Sequence, residues 1–275
     1  MTTDANPPPP SNVDPPVRAR PLSYARVTSP ECFLHMEPIR RTDAALDTAL
    51  ILLVAIVSRY LPALLAPIDV DAAAVDPTTL IVSKWSEALL VTGLAGYLVL
   101  RHRIKWAAFG LHRRDPARQL AWAAMTFMAS YAAIAITAVV FFALINPANA
   151  ESEMAQRLEF FDENLPLSSF GSIVVLLTAV AVHEELLFRG LLLPYLRRVT
   201  GHWWPGVLIV SLIFGSLHFP QGWMAVAQIS LLSVVLSVMF IASRSLLAVM
   251  AAHFLFDLCQ LQIIRLLPDM LKSAA

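Results

Sequence analysis

From Ala44 onward the chain is built of apolar runs about as long as a bilayer is thick, and this limits its folds more than any other feature. The runs fall near Ala44–Ala66, Leu80–Leu100, Leu120–Ile145, Ser168–Leu196, Trp203–Phe219, Gly222–Ala242 and Leu246–Leu267. In lipid, every backbone N–H and C=O must be satisfied within the segment, so each run is read as a helix. The spacing predicts an all-α, polytopic membrane bundle of about seven transmembrane helices, with the fifth one short.

Composition agrees. Of 275 residues, 57% are hydrophobic and only 15% charged, where a soluble domain carries about a quarter charged. Mean hydropathy is +0.65. The 20 basic and 20 acidic residues cancel, which excludes a nucleic-acid binder. Cys32 and Cys259 suggest neither a disulfide framework nor a cysteine metal site.

Residues 1–38 are of another kind. They hold Pro7 to Pro10, Pro15, Pro16, Pro21, Pro30 and Pro38 and few large apolar side chains, the composition of a disordered tail. No apolar run follows the first basic residues, so the segment does not read as a signal peptide. All six tryptophans sit near predicted span ends or in a loop, as an interfacial belt requires. Basic residues gather before the first span (Arg40, Arg41), in the second loop (Arg101, Arg103, Lys105, Arg113, Arg114, Arg118), after the fourth span (Arg197, Arg198) and after the sixth (Arg244). The alternate loops are acidic, with Asp69, Asp71 and Asp76, then Glu151, Glu153, Glu159, Asp162 and Glu163. This asymmetry predicts a cytoplasmic N-terminus and a C-terminus on the far side, with Arg157, Arg265 and Lys272 as minor exceptions, and the composition, with no recognisable organelle-targeting signal, suggests a bacterial cytoplasmic membrane.

Ionisable groups inside spans need a reason, since each costs roughly 2.5–3.5 kcal/mol at mid-membrane. Asp47, Arg59, Lys84 and Glu87 lie near predicted ends, where snorkelling or mutual pairing accounts for them. The fourth span is different, reading His183-Glu184-Glu185-Leu186-Leu187-Phe188-Arg189 deep within its length. Glu185 and Arg189 are four apart and share a face, so they can pair. Glu184 is left without a local partner, and His183 points about 100° away. The fifth span carries Phe214 and His218, the seventh His253 and Asp257, each pair one turn apart. Glu184, His218, His253 and Asp257 avoid their burial cost if they meet around a wet internal cavity.

Such a set can activate water through a carboxylate beside a histidine, while a second histidine and a carboxylate stabilise an oxyanion directly or through a held metal. Rival chemistries fit worse. A zincin helix needs a second histidine where Leu187 stands. Gly215-Ser216-Leu217 is no nucleophile elbow. Cys259 points about 200° from Asp257. No Gly-rich phosphate loop is present.

Taken together, Glu184-Glu185-x-x-x-Arg189, Phe214-x-x-x-His218 and His253-x-x-x-Asp257 resemble the signature of the CPBP family of intramembrane proteases, which includes the type II CAAX prenyl proteases. The resemblance covers residues 168 to 267, and Asp257 stands where many members have Asn. Composition and the apolar runs divide off a tail over 1–38 and N-terminal membrane helices and loops over 39–167, and the resemblance implies a catalytic membrane core over 168–275. It also implies Glu184 as the water-activating base with His218 beside it. His253 and Asp257 would stabilise the oxyanion, and Glu185 and Arg189 would hold the helix. The implied activity is endopeptidase cleavage of a membrane-embedded protein or a lipidated peptide. Zinc is a possible cofactor, since two histidines and a carboxylate can ligate it. Two other functions compete: a non-catalytic immunity or scaffold protein, and a proton-coupled transporter, which the lack of an internal repeat disfavours.

Overall fold

Proline opens the second, third and fourth helices of the bundle, at Pro77, Pro116 and Pro147, where its missing N–H leaves no hydrogen bond unmade. The computed structural model describes residues 39–65, 77–112, 115–144, 147–164 and 169–274. The proline-rich tail, the loop with Asp69, Asp71 and Asp76, and Arg113 and Arg114 lie outside the described residues. In order come α1 (Arg41–Leu65), α2 (Pro77–His102), a 3₁₀ turn (Trp106–Phe109), α3 (Pro116–Leu144), α4 (Pro147–Asn164) and α5 (Phe170–Glu185). A π-helical segment (Leu186–Leu192) follows, then α6 (Leu193–Thr200), α7 (Trp203–Ser216), a second 3₁₀ turn (Phe219–Gln221), α8 (Trp223–Ser243) and α9 (Leu246–Ala274). The described residues contain no strand.

Among the described residues, four stretches are both long and apolar enough to cross a membrane: Pro116–Phe141, Phe170–Thr200, Trp223–Ser243 and Leu246–Ile264. The fifth predicted span appears as α7, apolar but shorter. α1 and α2 have sufficient length, 25 and 26 residues, but polar side chains lower their hydropathy. Those side chains turn inward while apolar ones turn outward. Asp47 and Glu87 are buried, whereas Leu46, Leu53, Ile56, Val82, Leu89 and Leu100 are exposed. That inversion is what a lipid-facing helix requires.

Asp47 and Glu87 therefore do not snorkel. Asp47 Oδ2 lies 2.6 Å from His102 Nε2, with Arg101 Nε 3.4 Å from Oδ1. Lys84 Nζ donates to both Glu87 oxygens at 2.9 Å. Of the two explanations, pairing is the one the structure bears out for Asp47, Lys84 and Glu87, while the Arg59 side chain lies outside the described residues.

The long element from α5 through α6 forms the axis. Every residue from Glu185 to Leu196 is buried. α2 and α9 pack on its α5 end, and α1 and α7 on its α6 end. α8 lies between α7 and α3. The loop after α2 is pinned to the α8–α9 turn by Leu246 N–H donating to Gly110 O at 2.9 Å. Gly110 has φ +79°, and a Cβ there would stand 2.9 Å from Leu246 N, so a side chain is excluded twice over.

α4 departs from expectation. Its sequence was read as an acidic loop, yet it forms an 18-residue helix. Ala, Glu, Met, Gln, Arg and Leu dominate it, all strong helix formers, and the acidic count masks that propensity.

Candidate active site in the membrane core

The site begins with a change of helical pitch. α5 ends at Glu185 and the next seven residues form the π segment. A π turn widens the helix and often marks a functional position. Pro194 accounts for where it stops. Proline has no N–H to offer and its ring crowds the carbonyl four residues back. The wider turn relieves that crowding before α6 resumes. Gly190 allows close packing here, since a Cβ would lie 3.1 Å from Leu246 Cδ2.

The adjacent carboxylates at the junction face different surroundings. Glu185 is fully buried and its Oε1 accepts from Arg189 Nη1 at 2.7 Å, within the same helix, and from His253 Nδ1 at 2.6 Å, across to α9. Arg189 is itself fully buried; its Nη2 donates to Ser233 Oγ on α8 at 2.9 Å, and its guanidinium lies 4.7 Å over the Phe214 ring. The chain Ser233–Arg189–Glu185–His253 thus ties α8, the central helix and α9 together. Such a network is favourable only when satisfied, because unpaired buried charge costs several kcal/mol.

Glu184 turns to the other side and keeps 21% side-chain exposure. Its Oε2 lies 3.8 Å from His253 Nε2, and Asp257 Oδ2 lies 3.3 Å from the same nitrogen. His253 is therefore bound through Nδ1 to the buried carboxylate and presents Nε2 to the two half-buried ones. His218 is held separately, with Nδ1 donating to Phe214 O at 2.8 Å, which leaves Nε2 as its free ring nitrogen. Phe214 is the hub, packing edge-on against Phe188 at 4.9 Å, beside His218 at 5.1 Å and against His253 at 6.3 Å.

Glu184, His218, His253 and Asp257 all line one cavity of about 960 Å³. Its wall also draws on α2 (Ser83, Lys84, Glu87) and on α4 (Gln156, Arg157, Phe160). α4 is fastened across the start of α8: Glu153 Oε2 accepts from Met224 N–H at 3.1 Å and Gln156 donates to Pro220 O at 3.4 Å. Gly222, with φ +96°, lets Glu153 approach, since a Cβ would meet its Oε2 at 2.4 Å.

The structure brings the six predicted residues into one neighbourhood but divides them. Glu184, His218, His253 and Asp257 face the cavity, and Glu185 and Arg189 support it from behind. His253 Nε2 lies 3.8 Å from Glu184 Oε2, and His218, which the resemblance sets beside Glu184, lines the same cavity. His183, expected on a helix face, has Nδ1 3.5 Å from Glu87 Oε2. The sequence reading missed Ser233, Arg157 and Gln228. A hydroxyl four residues from another on an apolar helix, as with Ser233 and Ser237, was the available signal. Among the described residues, no three His, Cys, Asp or Glu side chains are arranged to hold a metal ion.

Residues 166–259 match the family model of the Rce1-like proteins, type II CAAX prenyl endopeptidases. The match contains all three motifs, and the family resemblance read from them is borne out over this segment. The uncharacterized protein YpbD of Bacillus subtilis is 32% identical over 91 residues, which is 32% of this chain and 43% of the relative. The chain thus spans less than half the length of the curated relative it matches. No solved structure matches.

Proposed function

We propose that this chain is an intramembrane endopeptidase, in which Glu184 activates a water molecule to cut a peptide bond in a membrane-embedded or lipid-anchored substrate. The observation that carries this reading is that Glu184, His218, His253 and Asp257 line a single cavity inside an apolar bundle. The similarity of residues 166–259 to prenyl endopeptidases supports a lipidated peptide as the substrate. The basic-loop asymmetry supports a cytoplasmic N-terminus.

Water held at Glu184 loses a proton to the carboxylate as its oxygen attacks the scissile carbonyl. The electron pair moves to the carbonyl oxygen, and a protonated ring nitrogen of His218 or His253 stabilises the oxyanion. Collapse of the intermediate expels the amine, which takes the proton from Glu184. His253 Nε2, 3.8 Å from Glu184 and 3.3 Å from Asp257, is placed to relay protons. Glu185 fixes that ring by holding Nδ1, as the orienting acid does in a catalytic triad.

The test is hydrolysis of an S-farnesylated, fluorescence-quenched peptide by the chain in lipid nanodiscs. Glu184→Gln keeps the shape and removes the base, and turnover is expected to fall about 10²–10⁴-fold. Unchanged turnover in that variant removes Glu184 from the chemistry.

A further inference from the structure

Two cations line the cavity away from the catalytic cluster, Lys84 and Arg157, and they differ in what neutralises them. Lys84 is clasped by both oxygens of Glu87. Arg157, on α4, has Nη1 donating to the Gln228 Oε1 amide oxygen at 2.7 Å. Its Nε is buried and finds no hydrogen-bond acceptor among the described residues, and no carboxylate there forms an ion pair with it. Burial pushes the guanidinium pKa down without any neighbouring acid to offset it. A half-buried arginine held by one neutral amide, in the wall of a cavity, is short of an anion. Uncompensated charge of that kind is retained where a ligand completes it.

The bonds around Arg157 fix its place. Gln228 is buried on α8. Glu153 and Gln156 anchor the same face of α4 to the start of α8. The guanidinium is thereby held to a wall of the cavity that Glu184 also lines. A planar fork of N–H donors suits a carboxylate.

We propose that Arg157 is a substrate-specificity residue that binds a carboxylate of the peptide, its free C-terminus, while the scissile bond lies at Glu184. The inference rests on the endopeptidase reading for its ligand. The apolar cavity receives the rest of the peptide, and Gln228 holds the guanidinium ready.

The test separates binding from cleavage. In the Glu184→Gln background, where turnover is expected to be strongly reduced, binding of a fluorescent S-farnesyl peptide is measured in phosphatidylcholine nanodiscs. The peptide is supplied as the free acid and as its C-terminal amide. The acid is expected to bind about tenfold tighter than the amide, and adding Arg157→Gln is expected to reduce the acid to the amide's affinity. Arg157→Lys keeps the charge and the docked helix, and is expected to retain part of the preference. Equal affinity for the two forms, no binding of either, or a preference that survives Arg157→Gln overturns the proposal. So does an effect of Arg157→Gln that follows phosphatidylglycerol content and not the peptide terminus, which assigns the arginine to lipid headgroups. If the wild type fails to cleave the peptide while the acid preference and its dependence on Arg157 hold, hydrolysis falls and the carboxylate site stands.

Discussion

Glu184 and Glu185 are neighbours in sequence with opposite fates. Glu185 is fully buried and bonded to a guanidinium and an imidazole, while Glu184 is partly open to the cavity beside one histidine edge. The helical step of about 100° between consecutive residues turns one carboxylate inward and the other to the wet side. A carboxylate held through one oxygen by a guanidinium and an imidazole is a strut; one facing a cavity can take and return a proton. The comparison teaches that charge in a membrane helix is not one category, and that its partners decide whether it supports or reacts.

The comparison is sharpest where the two roles are broken separately. Glu184→Gln is expected to abolish most turnover, as stated above, with thermal unfolding in detergent close to that of the wild type. A large fall in stability would make Glu184 a strut as well. Arg189→Met removes the partner of a fully buried carboxylate and is expected to destabilise the bundle by about 3–5 kcal/mol. Scanning fluorimetry and expression yield report it, and an unfolding midpoint like the wild type's would show that the Ser233–Arg189–Glu185–His253 chain is dispensable.

Smaller effects probe the frame. At Gly215 a Cβ would stand 1.9 Å from Ser230 Oγ and 2.8 Å from Val226 O. Gly215→Ala is therefore expected to push α7 from α8 at a cost of about 1–3 kcal/mol. Because Phe214 and His218 flank the position, hydrolysis should fall more than stability does, and equal losses would separate that packing from the site. Ser233→Ala deletes one hydrogen bond to Arg189 but leaves Ser233 O 3.5 Å from Nη2, and is expected to be the mildest, about 1 kcal/mol. A variant as damaging as Arg189→Met would mean that Ser233 alone sets the guanidinium's position.

Much of this was legible from spacing. The pairing of Glu185 with Arg189 follows from a four-residue interval and appears at 2.7 Å. Helices stand at the places of the apolar runs, since bilayer thickness fixes their length. Other features were hidden because they join distant segments. The bond from His253 to Glu185 spans 68 positions, and that from Arg157 to Gln228 spans 71. α4 was concealed by its acidic residues, and the inward turn of Asp47 and Glu87 by their closeness to span ends.

The sequence by itself determined that this chain is a helical membrane bundle carrying titratable groups where lipid would reject them, because hydrophobic length and helical period are local properties. Only the tertiary structure decided which of those groups meet. Helix crossing set His253 between two carboxylates, put Phe214 beneath Arg189, and laid α4 with its arginine along the cavity. Contacts between helices depend on packing of side chains far apart in the chain, and no local pattern encodes that packing.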